Sequence, residues 1–370
     1  MAFTGKQVTS RLDADGKLTV ELIERSYDAP TGSRLLVKVE ASPINPSDLG
    51  AMFAVADTDN AEYSPGKVVA PMPEAAVRAM ATRLGKALPV GNECAGTVVA
   101  AGEDASAQAL VGKRVTCVPG GAYATYAVCE AAMCMVLDDG VTAEQGASSF
   151  VNPMTALGFV ETMKAEGFKG IVHAAAASNL GQMLVRICKD DGVPLVNLVR
   201  SEAQAALLRD LGATHVIYTN AADFPAQLTA AIDETGAMLG FDPIGGGTTA
   251  SRILAAMEAS ASKGMAWSRY GSSTPKKVYI YGALDTGPTI LHRNYGFTWD
   301  VAGWLMTPFL AKAGMETVIR MRQRVMRELT TTFASHYKAH VSLEGMLTRE
   351  AVSAYNARRT GEKYLVVPNG

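Results

Sequence analysis

The run Ile171-Val172-His173-Ala174-Ala175-Ala176-Ala177-Ser178-Asn179-Leu180-Gly181 reads as a short apolar strand, a tight turn of small residues and the start of a helix, and Arg200-Ser201 follows 19 residues later. Small side chains in such a turn let backbone N–H groups approach an anion at a helix N-terminus, where the dipole favours negative charge. That arrangement suits the pyrophosphate of a dinucleotide. Against the usual G-x-G-x-x-G spacing only Gly181 is a glycine, with Ala176 and Ser178 at the first two positions. Ser178, Asn179, Leu180 and Gly181 are therefore expected beside the phosphates. The next apolar run, Pro194 to Val199, ends at Arg200, where a carboxylate reading an unphosphorylated ribose would be expected. An arginine fork with Ser201 suits a 2′-phosphate instead, so NADP(H) is the expected cofactor. A strand-helix-strand crossover with a solvated arginine fits the same letters.

The elements that must position these residues divide the chain in two. Up to about residue 140, strand-like runs at Leu35 to Val39, Thr97 to Ala101, Arg114 to Val118 and Tyr123 to Val128 are punctuated by Gly, Pro and Asp. From about 145, strands at Ile171 to Ala175, Pro194 to Val199, His215 to Ile217, Ala237 to Phe241 and Lys277 to Tyr281 alternate with helical stretches such as Leu180 to Lys189. That alternation predicts a doubly wound parallel sheet. A closing strand, Glu362 to Val367, predicts that the C-terminus completes the first domain. The expected fold class is thus α/β, with a β-rich domain over 1–145 and 335–370 and a Rossmann domain over 146–334.

Composition excludes several function classes. The chain has 370 residues, 48% hydrophobic, which suffices for two sizeable cores. A net charge of −2 gathers neither nucleic acid nor an anionic membrane surface. Five cysteines without a C-x-x-C pair argue against a disulfide framework and a four-thiolate zinc site, and for a reducing compartment. Cys129 and Cys134 read as buried packing thiols, with redox chemistry as the alternative. Neither a signal-peptide apolar core nor an apolar span of membrane length is evident, so a cytoplasmic protein is expected.

Six blocks in order resemble the medium-chain dehydrogenase/reductase superfamily, in its zinc-free branch of quinone oxidoreductases and enoyl thioester reductases. They are Ala41-Ser42-Pro43-Ile44-Asn45-Pro46-Ser47-Asp48, Gly91-Asn92-Glu93-Cys94-Ala95-Gly96-Thr97-Val98, Val151-Asn152-Pro153-Met154-Thr155-Ala156, the turn Ala175 to Gly181, Leu198-Val199-Arg200, and Leu211-Gly212-Ala213-Thr214-His215-Val216-Ile217. The resemblance implies a GroES-like catalytic domain, an inserted Rossmann domain, an active site in the cleft between them, and a homodimer. Zinc-dependent members carry a cysteine in the first block and a histidine in the second; here Pro43, Ile44, Asn45 and Asn92 stand there. Glu93 alone cannot hold a catalytic zinc, so no metal is expected.

Without metal the chemistry implied is direct hydride transfer from the nicotinamide to a quinone or enone, a small-molecule substrate. Such a step needs a polar group at the oxygen that gains charge. The resemblance places Asn45 and Thr155 beside the nicotinamide, and makes Tyr63 a candidate proton donor. Asn152 is either a helix N-cap or a site contact. Tyr218, beyond the third strand, is a candidate at the adenosine phosphate. Asp242 and Gly245 after the fourth strand, and Gly282 after the fifth, lie where such sheets bind ligand, or else form flexible turns. A 2-enoyl thioester reductase and an NADPH-binding sensor without turnover are the alternatives.

Several segments are expected to be peripheral. Ala54 to Pro89, with a helix over Glu74 to Leu84, reads as a lid, an embellishment or a dimer contact. Glu316 to Glu328 reads as an exposed amphipathic helix, or a clamp for a carrier phosphate. Lys276-Lys277 reads as a solvated strand entry, and His336-x-x-x-His340 as a helix face.

Overall fold

The computed structural model describes residues 3–369. It forms two compact units, Met1–Val151 with Val325–Gly370, and Asn152–Arg324. The first boundary falls at 151 rather than 145 because Ser148 to Val151 are tied to the β-rich unit: Ser149 Oγ donates to Thr116 Oγ1 at 2.7 Å, and the Phe150 and Val151 N–H groups bind Glu93. The second falls at 325 rather than 335.

In the β-rich unit, among the described residues, a seven-stranded sheet runs Met135–Val136, Arg114–Cys117, Cys94–Ala101, Arg34–Pro43, Tyr364–Val366, Ala339–Val341, with Tyr126–Glu130 also on Arg34–Pro43. The C-terminal strand joins by antiparallel pairing of Leu365 with Pro43, so the end of the chain does complete this domain. A five-stranded sheet is built on Phe3–Leu12 and Lys17–Tyr27. Segment 54–89 is built into this unit. Its strands Glu62–Ser64, Lys67–Pro71 and Leu88–Pro89 belong to the five-stranded sheet, and Ala61, Val68, Ala70 and Met72 are in the core. The helix expected over 74–84 is shorter: Glu74–Ala79 ends at Met80, whose φ of −103° and ψ of 24° leave the helical basin, and a single 3-10 turn follows at Ala81–Arg83. His336 and His340 share no helix, since His340 lies in the strand Ala339–Val341, with its Nε2 3.1 Å from Glu144.

In the second unit six strands, all parallel, lie in the order His215–Tyr218, Leu195–Val199, Ile171–His173, Leu239–Asp242, Lys276–Ile280, Trp299–Gly303. This is the doubly wound order, whose direction reverses between the first strand and the fourth. The sixth strand, around Trp299, has no counterpart in the sequence reading; its Asp300 and Gly303 break the apolar run. Helix Asn179–Asp191 shows how the letters select the element: Ser178 caps it, Leu180, Met183, Leu184, Ile187 and Cys188 recur at helical spacing and are buried, and Gly192 ends it at φ 66°.

Lys276 is not a solvated strand entry. Its side chain is fully buried, with Nζ 2.6 Å from Glu258 Oε2, 3.0 Å from Ser272 Oγ and 2.9 Å from the Thr274 carbonyl. Burial pushes the Glu258 carboxyl up, but hydrogen bonds from Lys276, Ser272 and Ser262 outweigh it and hold the group at about 2. The arginines of helix Met315–Arg327 are likewise partly committed, Arg320 to Glu161 and Arg324 to Asp191, each at 2.7 Å, which counts against a phosphate clamp.

Glu258→Gln strands a buried ammonium, and urea unfolding at neutral pH is expected to show a loss of roughly 3–5 kcal/mol. Because the native carboxyl lies below its ordinary 4.5, the wild type should keep this stabilisation above that value and lose it as pH falls toward about 2, while the variant shows no such step.

Candidate functional site

In the parallel-sheet unit the turn after Ile171–His173 is held by its neighbours on both sides. Ala174 N–H donates to Phe241 O at 3.0 Å, and Ala176 N–H to Leu198 O at 3.1 Å. Ala175 takes a left-handed φ of 50°, which reverses the chain tightly into the helix. Ser178 accepts the Gly181 N–H at 3.2 Å as N-cap. A Cβ on Gly181 would sit 2.0 Å from Ala176 O, so the one retained glycine is where the helix start presses on the turn. Leu180 is buried and Asn179 half-buried. At the end of the adjacent strand, Arg200 is exposed and holds Gln204 Oε1 through its backbone N–H at 2.9 Å, while Ser201 caps helix Glu202–Asp210 through the Gln204 N–H at 3.3 Å. The structure thus brings the turn and Arg200-Ser201 to one end of two adjacent strands.

The remaining residues expected in this unit fall into other roles. Tyr218 donates its hydroxyl to Glu202 and accepts from Arg209 Nη2 at 3.3 Å. Asp242 lies at the carboxyl end of its strand, buried, with Oδ1 accepting the Ile244 N–H at 2.8 Å and Oδ2 unpartnered. Burial raises its carboxyl. Gly245, at φ 79°, and Gly282 face one another: a Cβ on the first would lie 2.8 Å from Gly282 O, and one on the second 2.6 Å from Pro243 O. These glycines let two rim loops pack backbone to backbone, which is not the flexible turn that composition suggests. Asn152 lies within helix Val151–Ala165 and is buried, so the N-cap alternative fails, since a cap must precede the first helical residue. Thr155, one turn on, is buried with Oγ1 3.8 Å from Met306 Sδ.

In the β-rich unit Asn45 is the N-cap of helix Pro46–Met52 and is buried. Its backbone N–H donates to Asp48 Oδ2 at 2.8 Å, its Nδ2 donates to Glu93 Oε1 at 2.9 Å, and its Oδ1 is a buried acceptor with no partner. Glu93 Oε2 accepts the N–H groups of Phe150 and Val151, each at 2.9 Å. Tyr63 does not join this group. Its hydroxyl donates to the Thr58 carbonyl at 2.8 Å, and the Arg349 guanidinium lies 4.4 Å from its ring centroid.

Two family models match the chain: alcohol dehydrogenase GroES-like domain over residues 32–139, and zinc-binding dehydrogenase over 179–266. A solved structure from Mesorhizobium loti, described as an NADPH:quinone reductase, is 26% identical with a TM-score of 0.74 over 99% of this chain and 98% of that one. The chain belongs to the medium-chain dehydrogenase/reductase superfamily, in its quinone oxidoreductase and enoyl reductase branch. The Etr1p complex with NADP and crotonyl-CoA shares the fold at 20% identity and a TM-score of 0.67, covering 99% of this chain and 100% of that one. A mycocerosic acid synthase-like polyketide synthase of Mycobacterium tuberculosis is 32% identical over 143 residues, 38% of this chain. The match spans 7% of that protein, and 6% and 10% of the next two curated relatives.

Within the superfamily's zinc positions this chain has built a hydrogen-bonded polar group. Asn92 N–H donates to Asp48 Oδ1 at 2.8 Å and Asn92 Nδ2 to Ser47 Oγ at 3.0 Å. Burial raises Asp48 to about 7 against the hydrogen bonds from Asn45 and Asn92. Burial likewise raises Glu93, opposed by Lys363 and the backbone donors. Lys363 Nζ is buried beside them; burial lowers its ammonium to about 8 while Glu93 and Asp48 pull it up. The sequence reading weighed Glu93 only as a metal ligand and did not single out Lys363. A carboxylate between apolar Val90 and Cys94-Ala95 was the signal that it is buried. Also unread were His173 and Tyr281, which join at 2.8 Å inside the parallel sheet unit, with burial taking the imidazole to about 3 and so keeping it neutral.

Glu93→Gln leaves one oxygen for three donors and points an N–H at other N–H groups. A loss of about 2–4 kcal/mol in chemical unfolding is expected, against less than about 0.5 kcal/mol for Asn92→Ala, whose side chain meets only Ser47.

Proposed function

We propose that this chain is a zinc-independent, NADPH-dependent oxidoreductase that transfers hydride to a quinone or an α,β-unsaturated carbonyl. The observation that carries the reading is Arg200 at the end of Leu195–Val199, exposed, on the strand next to a capped helix start. The donor set fits the cofactor. No carboxylate stands where a 2′-hydroxyl would need one, and the neighbouring Glu202 is occupied by Arg209 at 2.9 Å and by Tyr218. The turn's backbone and the N-terminus of helix Asn179–Asp191 would hold the pyrophosphate, and Arg200 with Ser201 the 2′-phosphate. Tyr218 is left out of this set because its hydroxyl is already spent.

When bound, NADPH supplies the hydride. The chain's part is to orient the acceptor and to stabilise charge on its oxygen, for which Asn45 and Thr155 are the proposed polar groups. Asn45 cannot swing freely, since its N–H and Nδ2 are fixed by Asp48 and Glu93, which suits a preorganised contact. The bond from Tyr63 to Thr58 takes that tyrosine away as a donor at carbon, which weighs for a quinone, whose reduced oxygens take protons from water, over enones and enoyl thioesters alike. The homodimer is kept in the proposal on account of Trp267 and Phe297, 88% and 78% exposed, and light scattering at twice the 38.9 kDa chain mass is its check.

The test follows NADPH oxidation with 1,4-benzoquinone, a simple enone and a 2-enoyl coenzyme A. Quinone or enone turnover is expected, with Arg200→Ala raising the KM for NADPH by roughly 10- to 100-fold and leaving that for NADH unchanged. Turnover confined to the thioester would replace the substrate class, and NADPH binding without turnover would support the sensor.

A further inference from the structure

The β-rich unit gathers four of the chain's five cysteines, of which Cys129 and Cys134 stand in a C-x4-C spacing that metal sites use. Cys94 and Cys117 face each other in register on adjacent antiparallel strands, with Sγ atoms 3.5 Å apart. Cys129, from the strand Tyr126–Glu130, and Cys134, just beyond it, have Sγ atoms 3.4 Å apart. Cys117, Cys129 and Cys134 all place their sulfurs within 4.8 Å of one another, and this is the one such group of His, Cys, Asp or Glu ligands among the described residues. Around them lies a small apolar core that includes Leu35, Val37, Val98, Val115 and Ala127.

We propose that Cys117, Cys129 and Cys134 form a three-thiolate site for a soft or borderline d10 cation such as Zn2+, separate from the Arg200 and Asn45 groups. Thiolates about 2.3 Å from a tetrahedral metal stand roughly 3.8 Å apart, so the observed separations close onto an ion with side-chain rotation alone. Soft sulfur donors in an apolar surround select such ions over Mg2+ or Ca2+. Cys117 and Cys129 are buried, whereas Cys134 is half-buried and opens the group to entry from solvent. Cys94, a free thiol with its Sγ 3.5 Å from that of Cys117, lies outside the group, and water completes the set. Binding breaks three S–H bonds, forms three S–metal bonds and releases three protons to solvent, with no change of oxidation state. Because binding needs the thiolates and displaces their protons, affinity must fall as pH is lowered.

The probe is Cd2+, titrated into the full-length, reduced, metal-free chain under anaerobic conditions. A thiolate-to-metal charge-transfer band saturating at one ion per chain is expected, together with protection of at least three of the five thiols from a disulfide reagent. Cys134→Ser should weaken binding by at least about tenfold, while Cys188→Ser, in the other unit, leaves it unchanged. Cys134 is only half-buried, so its variant should keep the wild-type melting temperature and decides the matter even where Cys129→Ser fails to fold. Absence of the band, its persistence in Cys134→Ser, or conversion of Cys129 and Cys134 to a disulfide with no ion bound would overturn the proposal.

Discussion

One buried carboxylate fixes the polar centre of the β-rich unit. Glu93 receives the Asn45 side chain on one oxygen and two backbone N–H groups, of Phe150 and Val151, on the other. Taking such a group out of water is costly, and the cost is met only when every lone pair in use finds a donor. The donors come from two stretches of sequence far from Glu93 and from each other. Removing any one leaves the carboxylate under-satisfied, so the turn before Pro46–Met52 and the chain leading into Val151–Ala165 are fixed together. Asp48 repeats the device on a smaller scale, binding the N–H groups of Asn45 and Asn92. Lys363, brought in by the C-terminal strand, supplies the opposite charge, which gives an electrostatic reason for the last residues to return to the first sheet.

The parallel-sheet unit depends on steric closeness instead. Gly181 has no room for a methyl group against Ala176, and Ala175 accepts a left-handed backbone that costs a non-glycine residue of the order of 1 kcal/mol. Both bring the helix N-terminus close behind the strand. Alanine and serine can therefore replace the first two glycines of the common pattern: Ala176 is fully buried, and Ser178 turns its hydroxyl inward to cap the helix.

The domain order and the parallel sheet were legible because their signals are local. Apolar runs, small-residue turns and the capped helix at Asn179 each sit within about ten residues of sequence. Arg200 was legible for the same reason, being fixed by its distance from the strand end. What escaped was whatever depends on partners far along the chain. Lys276 looks solvated until Glu258 is placed beside it, and Ala54 to Pro89 looks like an insertion until Lys17–Tyr27 is seen to pair with it. Cys94 and Cys117, 23 residues apart, meet only through strand register, which their spacing does not show. Tyr63 is a candidate donor by resemblance alone, and its bond to the Thr58 carbonyl depends on a local fold that the resemblance does not show.

The central claim is that the end of Leu195–Val199 reads a 2′-phosphate, and calorimetric titration of the unmodified chain with 2′,5′-ADP and with 5′-AMP isolates that contact from hydride chemistry and from substrate. Binding of 2′,5′-ADP tighter by at least about tenfold, with the difference shrinking as salt is raised, is the predicted result. Equal affinity for the two nucleotides would contradict it, and would leave Arg200 as a solvated strand end.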